Sequence, residues 1–195
     1  MSEVEKILPL SPLQEGMLFH SVLSPETGVY VEQRWCVIEG DLDEEAFRKA
    51  WDEVVNRHEA LRAEFHWEET EEPVQVIYEE VSPEWKLERP DDFEAFLKAD
   101  RKKGFTLDEG PLIRFALFPL EKGRYQFVWT FHHLLMDGWG NGVLIREVFT
   151  YYEAAKKGRS LTLPAAVPYE RYLSWLGARN ESETEEFWGE ELAGF

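Results

Sequence analysis

The sequence predicts an α/β domain, a two-layer sandwich with a mixed sheet. Three observations predict it. Runs rich in β-branched and aromatic residues alternate along the chain with amphipathic helical patterns, which favours a sheet covered by helices. Hydrophobic residues make up 44% of the 195 residues and aromatics 14%, a globular composition. No internal repeat or low-complexity stretch breaks the chain, and its length suits one domain or lobe with a real core.

The elements follow in order. In ILPLSPLQEGMLFHSVL, Pro9 and Pro12 resist helix before them, Ser11 can cap a helix, and Pro12 suits its first position. SPETG, Ser24–Gly28, is a turn, and VYVEQRWCVIEG, Val29–Gly40, is a strand. The clearest helix follows, capped by Asp41 or Asp43, with Phe47, Ala50, Trp51, Val54, Val55 and His58 on one stripe. LRAEFHW and VQVIYE alternate as a hairpin around the acidic turn EETEEP. DDFEAFLKADRKKG, Asp91–Gly104, is an amphipathic helix stopped by Gly104, and FTLDEGP is a loop. LIRFALFPLE and RYQFVWTFHH form two strong strands about a Lys122-Gly123 turn. From Gly138 the pattern is helical, with Val143, Leu144, Val148, Phe149 and Tyr152 on one face. A Pro-bearing loop, Gly158–Pro168, and helical stretches at Tyr169–Leu176 and Glu183–Leu192 complete the chain.

A formal net charge of -18 argues against nucleic acid and anionic membrane as partners. The acidic runs Glu68–Glu72 and Glu181–Glu191 read as solvated faces. No apolar stretch reaches the ~18 residues of a membrane span, the N-terminus lacks a signal-peptide pattern, and a cytoplasmic location is expected. The single cysteine, Cys36, excludes an intrachain disulfide and reads as a small core residue.

Chemistry concentrates in HHLLMDGWG, His132–Gly140. Strand alternation puts Tyr125, Phe127, Trp129 and Phe131 on one face and Gln126, Val128, Thr130 and His132 on the other. His132 and His133 then point in opposite directions, which speaks against both ligating one metal. His20, His58 and His66 add no ligand spacing, so no metal is expected. Asp137 can hold backbone N–H groups or pair with an arginine. Gly138 permits a turn at positive φ and offers an N–H at a helix start for a developing oxyanion. No Ser or Cys stands beside the motif in sequence, which suggests direct transfer between two substrates. A structural loop remains the alternative reading.

HHLLMDGWG resembles the HHxxxDG signature of nonribosomal peptide synthetase condensation domains. SPLQEGMLFH, Ser11–His20, resembles that family's first core motif, and RHEALRAEF, Arg57–Phe65, its second, in the family's order. The resemblance implies a chloramphenicol-acetyltransferase-like lobe. It also implies peptide-bond formation between a donor acyl or peptidyl thioester and an acceptor aminoacyl thioester. No cofactor would bind directly. Upstream and downstream peptidyl carrier proteins would deliver both groups on phosphopantetheine arms, beside a neighbouring adenylation domain. His133 would take the amine proton or position the amine, and the Gly138 N–H would face the oxyanion. His132 would be supportive, and Asp137 structural in an ion pair with Arg62, or with Arg57 in reserve. Helix capping is the competing role for Arg57, and His58, which extends the apolar stripe, reads as a core or interface residue. Gln14 and Trp139 are candidates for the substrate tunnel, each with a packing role as the alternative. Many relatives carry Ser where Gly140 stands.

The resemblance spans about the first half of the family's domain, so residues 1–195 are expected to be its N-terminal lobe. FWGEELAGF would lead into the second. Such a lobe alone is expected to be inactive and prone to self-association through its uncovered face. Competing functions are an epimerisation-type domain of the same superfamily, a non-catalytic carrier-docking module and, remotely, a metal hydrolase.

Overall fold

The computed structural model describes residues 2–195 other than Glu69, Lys122 and Asn180; the side chains of Glu26 and Glu181 are also outside the description. The expected turns at Lys122-Gly123 and EETEEP therefore each include a residue outside the described residues.

Strand β2 (Val31–Glu39), β5 (Glu84–Lys86), β6 (Ile113–Pro119) and β7 (Arg124–His132) form a four-stranded sheet in the order β2-β7-β6-β5. The β2-β7 and β6-β7 pairs are antiparallel and β5-β6 is parallel, so the sheet is mixed, as expected. Two corrections concern the strands. Strand β1 (Val4–Pro9) pairs with β4 (Val74–Tyr78), which also pairs with β3 (Ala63–His66), giving a second, three-stranded sheet in the order β1-β4-β3. Neither β1 nor β5 is expected from the residue pattern, because proline ends β1 and β5 has only three residues.

Helix α2 (Glu44–Arg57) packs across one face of the larger sheet. Asp43 caps it by accepting from the Ala46 N–H, and Phe47, Ala50, Trp51, Val54 and Val55 are buried. The Phe47 ring meets Phe127 edge-on at 5.1 Å, and Trp51 lies 4.7 Å from Phe115 and 5.4 Å from Phe127. Such aromatic pairs add to the area they bury. Helix α4 (Gly138–Lys156) lies beside α2, with Tyr152 6.1 Å from Phe47 and its hydroxyl bonded to the Asp43 N–H.

Helix α3 (Phe93–Lys103) covers the opposite face, so the larger sheet carries helices on both sides. Phe93, Phe96 and Leu97 pack on Ala116, Phe118 and Val128. Asp100 anchors α3 to the sheet: it accepts from Arg114 Nε at 2.8 Å, Thr130 Oγ1 at 2.6 Å and Gln33 Nε2 at 2.8 Å. Burial alone would raise this carboxyl, but the three donors, led by Arg114, hold it below the ordinary aspartate range.

Cys36 is exposed, not a core residue, because β2 is the sheet's edge and the helical layer stops short of it. Helices α5 (Tyr169–Gly177) and α6 (Glu181–Glu191) leave Trp175, Phe187 and Trp188 exposed. No helix among the described residues is long and apolar enough to cross a membrane.

Candidate active site

Two elements build the site. Strand β7 carries His132 to its end, and helix α1 (Pro12–Leu23) braces the loop that follows. Alternation along β7 is as expected: Phe127 and Trp129 meet α2, while Thr130 faces α3.

His132 is 2% exposed. Its Nδ1 accepts from the Leu134 N–H at 3.3 Å, so the proton sits on Nε2, which lies 3.3 Å from Ser21 Oγ. Ser21 in turn donates to the Met17 carbonyl at 2.7 Å. Burial, with the neighbouring His133, pushes the His132 pKa down to about 4, so its ring is neutral at pH 7. A serine does therefore stand beside the motif, brought there by α1. The Ser21–His132 pair is not a nucleophile with its base, however, because His132 presents a proton rather than a lone pair.

His133 follows a different course. Its N–H donates to the Tyr30 carbonyl at 2.8 Å. Its Nδ1 lies 2.7 Å from the Met136 carbonyl, which can only accept, so Nδ1 carries the proton. Nε2 is left with a lone pair on a half-buried ring, the form that can accept a proton or hold an amine. The two adjacent histidines thus take opposite tautomers for local reasons.

Tyr30 was not anticipated. Its φ of 65° is the one positive value among the described non-glycine residues, and its ring lies 6.4 Å from His132 and 6.5 Å from His133. A tyrosine in this region is strained. The strain sits where its carbonyl must meet the His133 N–H. The residue types alone carry no signal for it beyond the turn at Gly28.

Asp137 corrects an expectation. Its carboxylate caps α4, accepting from the Trp139 N–H at 2.9 Å and the Gly140 N–H at 3.0 Å. It pairs with neither arginine. Arg62, 5% exposed, pairs with Glu5 at 2.7 Å and donates to the Tyr78 carbonyl, which locks β1 to β4. Arg57 pairs with Glu147 of α4 at 3.1 Å and donates to the Pro164 carbonyl. His58 shares Glu147 at 2.7 Å, so of the two positions expected for it, core or interface, it takes the interface, as a polar link between α2 and α4.

Gly138 opens α4, and it is not among the glycines at positive φ, against the expected left-handed turn. The cap already reverses the chain with Asp137 extended, so Gly138 takes helical geometry. Its N–H has no acceptor among the described residues, and a Cβ there would meet nothing within 4 Å. Trp139 is 89% exposed on the first turn of α4 and packs beneath nothing.

Gln14 is a brace, not a wall of open space. It is 5% exposed, its Nε2 donates to the Leu134 carbonyl at 3.2 Å, and its Oε1 accepts from the Ser11 N–H at 3.0 Å and Tyr169 Oη at 3.1 Å. With Ser11 it completes a reciprocal cap of α1. At the C-terminal end of α1 a cleft of about 440 Å³ runs from Lys102 and Lys103 past Phe105 and Trp67 to Ser21 and His132. Among the described residues, no group of three or more His, Cys, Asp or Glu is placed to hold a metal.

With this geometry in hand, comparison with known proteins gives a family. The condensation domain family model matches residues 4–195, and the chain belongs to that family. It is 38% identical to bacitracin synthase 3 of Bacillus licheniformis, over 99% of this chain and 3% of that protein. It is 36% identical to tyrocidine synthase 3 of Brevibacillus parabrevis, over 98% of this chain and 3% of that protein. Among solved structures, the starter condensation domain of rhizomide synthetase superposes with a TM-score of 0.84 at 22% identity, covering 97% of this chain and 50% of that one. The first condensation domain of the calcium-dependent antibiotic synthetase gives 0.82 at 20%, covering 99% and 50%. These likenesses establish the chloramphenicol-acetyltransferase-like fold that the motifs implied. The chain spans about half of each solved condensation domain and a few per cent of each synthetase.

Proposed function

We propose that residues 1–195 are the N-terminal lobe of a nonribosomal peptide synthetase condensation domain that forms an amide bond between two carrier-bound substrates. The acceptor amine attacks the donor thioester carbonyl, the C–S bond breaks, the donor carrier's thiol departs, and the amine loses a proton. His133 carries this reading. With Nδ1–H spent on the Met136 carbonyl, Nε2 is free to accept that amine proton or to hold the amine in line. The unpartnered Gly138 N–H at the start of α4 is the candidate donor to the carbonyl oxygen as it gains charge. His132 and Asp137 support the loop without touching substrate.

On this reading the substrates arrive on phosphopantetheine arms of upstream and downstream carrier proteins, within a cytoplasmic assembly that includes an adenylation domain. The exposed aromatics of α5 and α6 pack on the rest of the domain, and the lobe alone has little activity.

The test is single-turnover condensation between donor and acceptor aminoacyl carrier proteins, read as dipeptidyl thioester by intact-protein mass spectrometry. The chain is assayed alone and together with the remainder of its domain. Product is expected only with the remainder present, falling about 10²- to 10⁴-fold in His133→Ala. Unchanged turnover in that variant would sink the assignment to His133, and carrier binding without product in any arm would leave a docking module. Inverted α-carbon chirality on a single carrier would indicate epimerisation instead.

A further inference from the structure

We infer that Tyr30 is a positioning residue for His133: its ring and its carbonyl together keep the Nε2 lone pair of His133 aimed at one place. This inference rests on the reading of His133 given above. The His133 side chain has one polar anchor, Nδ1 at 2.7 Å from the Met136 carbonyl. A single hydrogen bond leaves an imidazole free to pivot about the line from donor to acceptor. Such a pivot swings Nε2 through space while the bond survives. A second contact has to stop that rotation if an amine is to be held in line.

Tyr30 is placed to stop it. Strands β2 and β7 pair Val31 with His132, and one step further the His133 N–H donates to the Tyr30 carbonyl at 2.8 Å. The two residues are therefore neighbours across the ladder, with the His133 backbone pinned. The Tyr30 ring lies 6.5 Å from the His133 ring, inclined at 47°, and 6.4 Å from the His132 ring, at 63°. Both separations fall in the range where aromatic rings attract. A side chain in continuous strand faces the side of its ladder partner alone. This half-buried ring instead comes within range of two imidazoles that point apart.

The backbone supplies a second, independent observation. The Val31 N–H donates to the Gly28 carbonyl at 3.1 Å, closing a turn over residues 28–31 in which Tyr30 is the third residue, at φ 65°. That position normally takes Gly or Asn. A tyrosine gains nothing there from the backbone, so its contribution comes from the ring, and the rings it meets are the two histidines.

The test is a set of variants in the single-turnover condensation assay, with the remainder of the domain present and the acceptor carrier varied. Tyr30→Phe keeps the ring and is expected to stay within about twofold of the parent. Tyr30→Ala and Tyr30→Gly remove it. Both are expected to lower the rate constant at saturation about tenfold, with the half-saturating concentration unchanged. Glycine frees the backbone and alanine does not, so a purely structural role would leave Tyr30→Gly close to the parent rate. That result overturns the proposal, as does a loss confined to half-saturation or an equal loss in Tyr30→Phe. In a His133→Ala background, Tyr30→Gly is expected to cost nothing more; a second tenfold loss there would show the ring acting elsewhere and also overturns it. An intact rate in His133→Ala removes the reading on which this inference rests. An intact rate in Tyr30→Gly beside a lost one in His133→Ala removes this inference alone.

Discussion

His132 Nε2 and Ser21 Oγ lie 3.3 Å apart, joining the end of β7 to the last turn of α1. The pair needs a neutral imidazole inside the protein. The native pKa of about 4 lies below the ordinary histidine value of 6.5, so protons favour the unfolded chain. The contribution is intact above pH 6.5 and is lost as pH falls towards 4, about 3 kcal/mol in all. Urea titrations across that range are expected to show the loss in the parent and a flatter profile in His132→Asn. An equally steep profile in the variant would assign the acid sensitivity to other groups.

Asp137 acts as a cap, which separates two otherwise similar substitutions. Asp137→Asn retains a capping oxygen and is expected to change stability little, whereas Asp137→Ala costs about 1 kcal/mol. An ion-pair role would make the two equally damaging in chemical denaturation.

Arg62 and Glu5 offer a double-mutant cycle. Arg62→Met removes the partner of a partly exposed carboxylate and orphans the Tyr78 carbonyl; a loss of about 1–3 kcal/mol is expected, with part of it coupled to Glu5→Gln. Arg62 and Asp137 are expected to be additive. Strong coupling between them would restore the ion pair the structure lacks.

Asp100 holds α3 to the sheet. Because its native pKa is depressed, its contribution is present above the unfolded carboxyl pKa and is lost as pH falls through the native value. Asp100→Asn is expected to remove that acid-side slope. It should also raise amide exchange in α3 before α2 or α4, a local opening that hydrogen exchange can resolve.

Tyr30 tests backbone strain directly. Tyr30→Gly loses the ring but relieves a φ of 65°, whereas Tyr30→Ala loses the ring and keeps the strain. The glycine variant is expected to be about 1 kcal/mol the more stable in denaturant titration. The reverse order would mean that strain at Tyr30 is negligible.

What was legible in the sequence followed from periodicity and local chemistry. The α2 stripe, the alternation of β7 and the Ser11 cap all rest on neighbours within a few residues. The second sheet was not legible, since β1 meets β4 across about seventy residues and ends in proline. The divergence of the two histidine side chains could be read from strand alternation. Their tautomers could not, because they depend on the Leu134 N–H and the Met136 carbonyl in a loop whose geometry no periodicity defines. The partners of Arg62 and Asp137 were missed for a related reason. Both are motif residues, and motif membership suggested that they meet, but each is satisfied by closer groups.

Gln14 sets a limit on how this chain can be recombined. One amide touches Ser11, Leu134 and Tyr169 and lies 3.4 Å from Gln75, so three stretches far from it in sequence converge on it beside its own cap. A chimera whose crossover falls anywhere between residues 14 and 169 inherits those partners from two parents. Where the parents differ at any of them, the histidine loop loses its support although both histidines are retained. Grafts meant to exchange specificity should therefore carry residues 11–169 as one block, or be matched at these positions first.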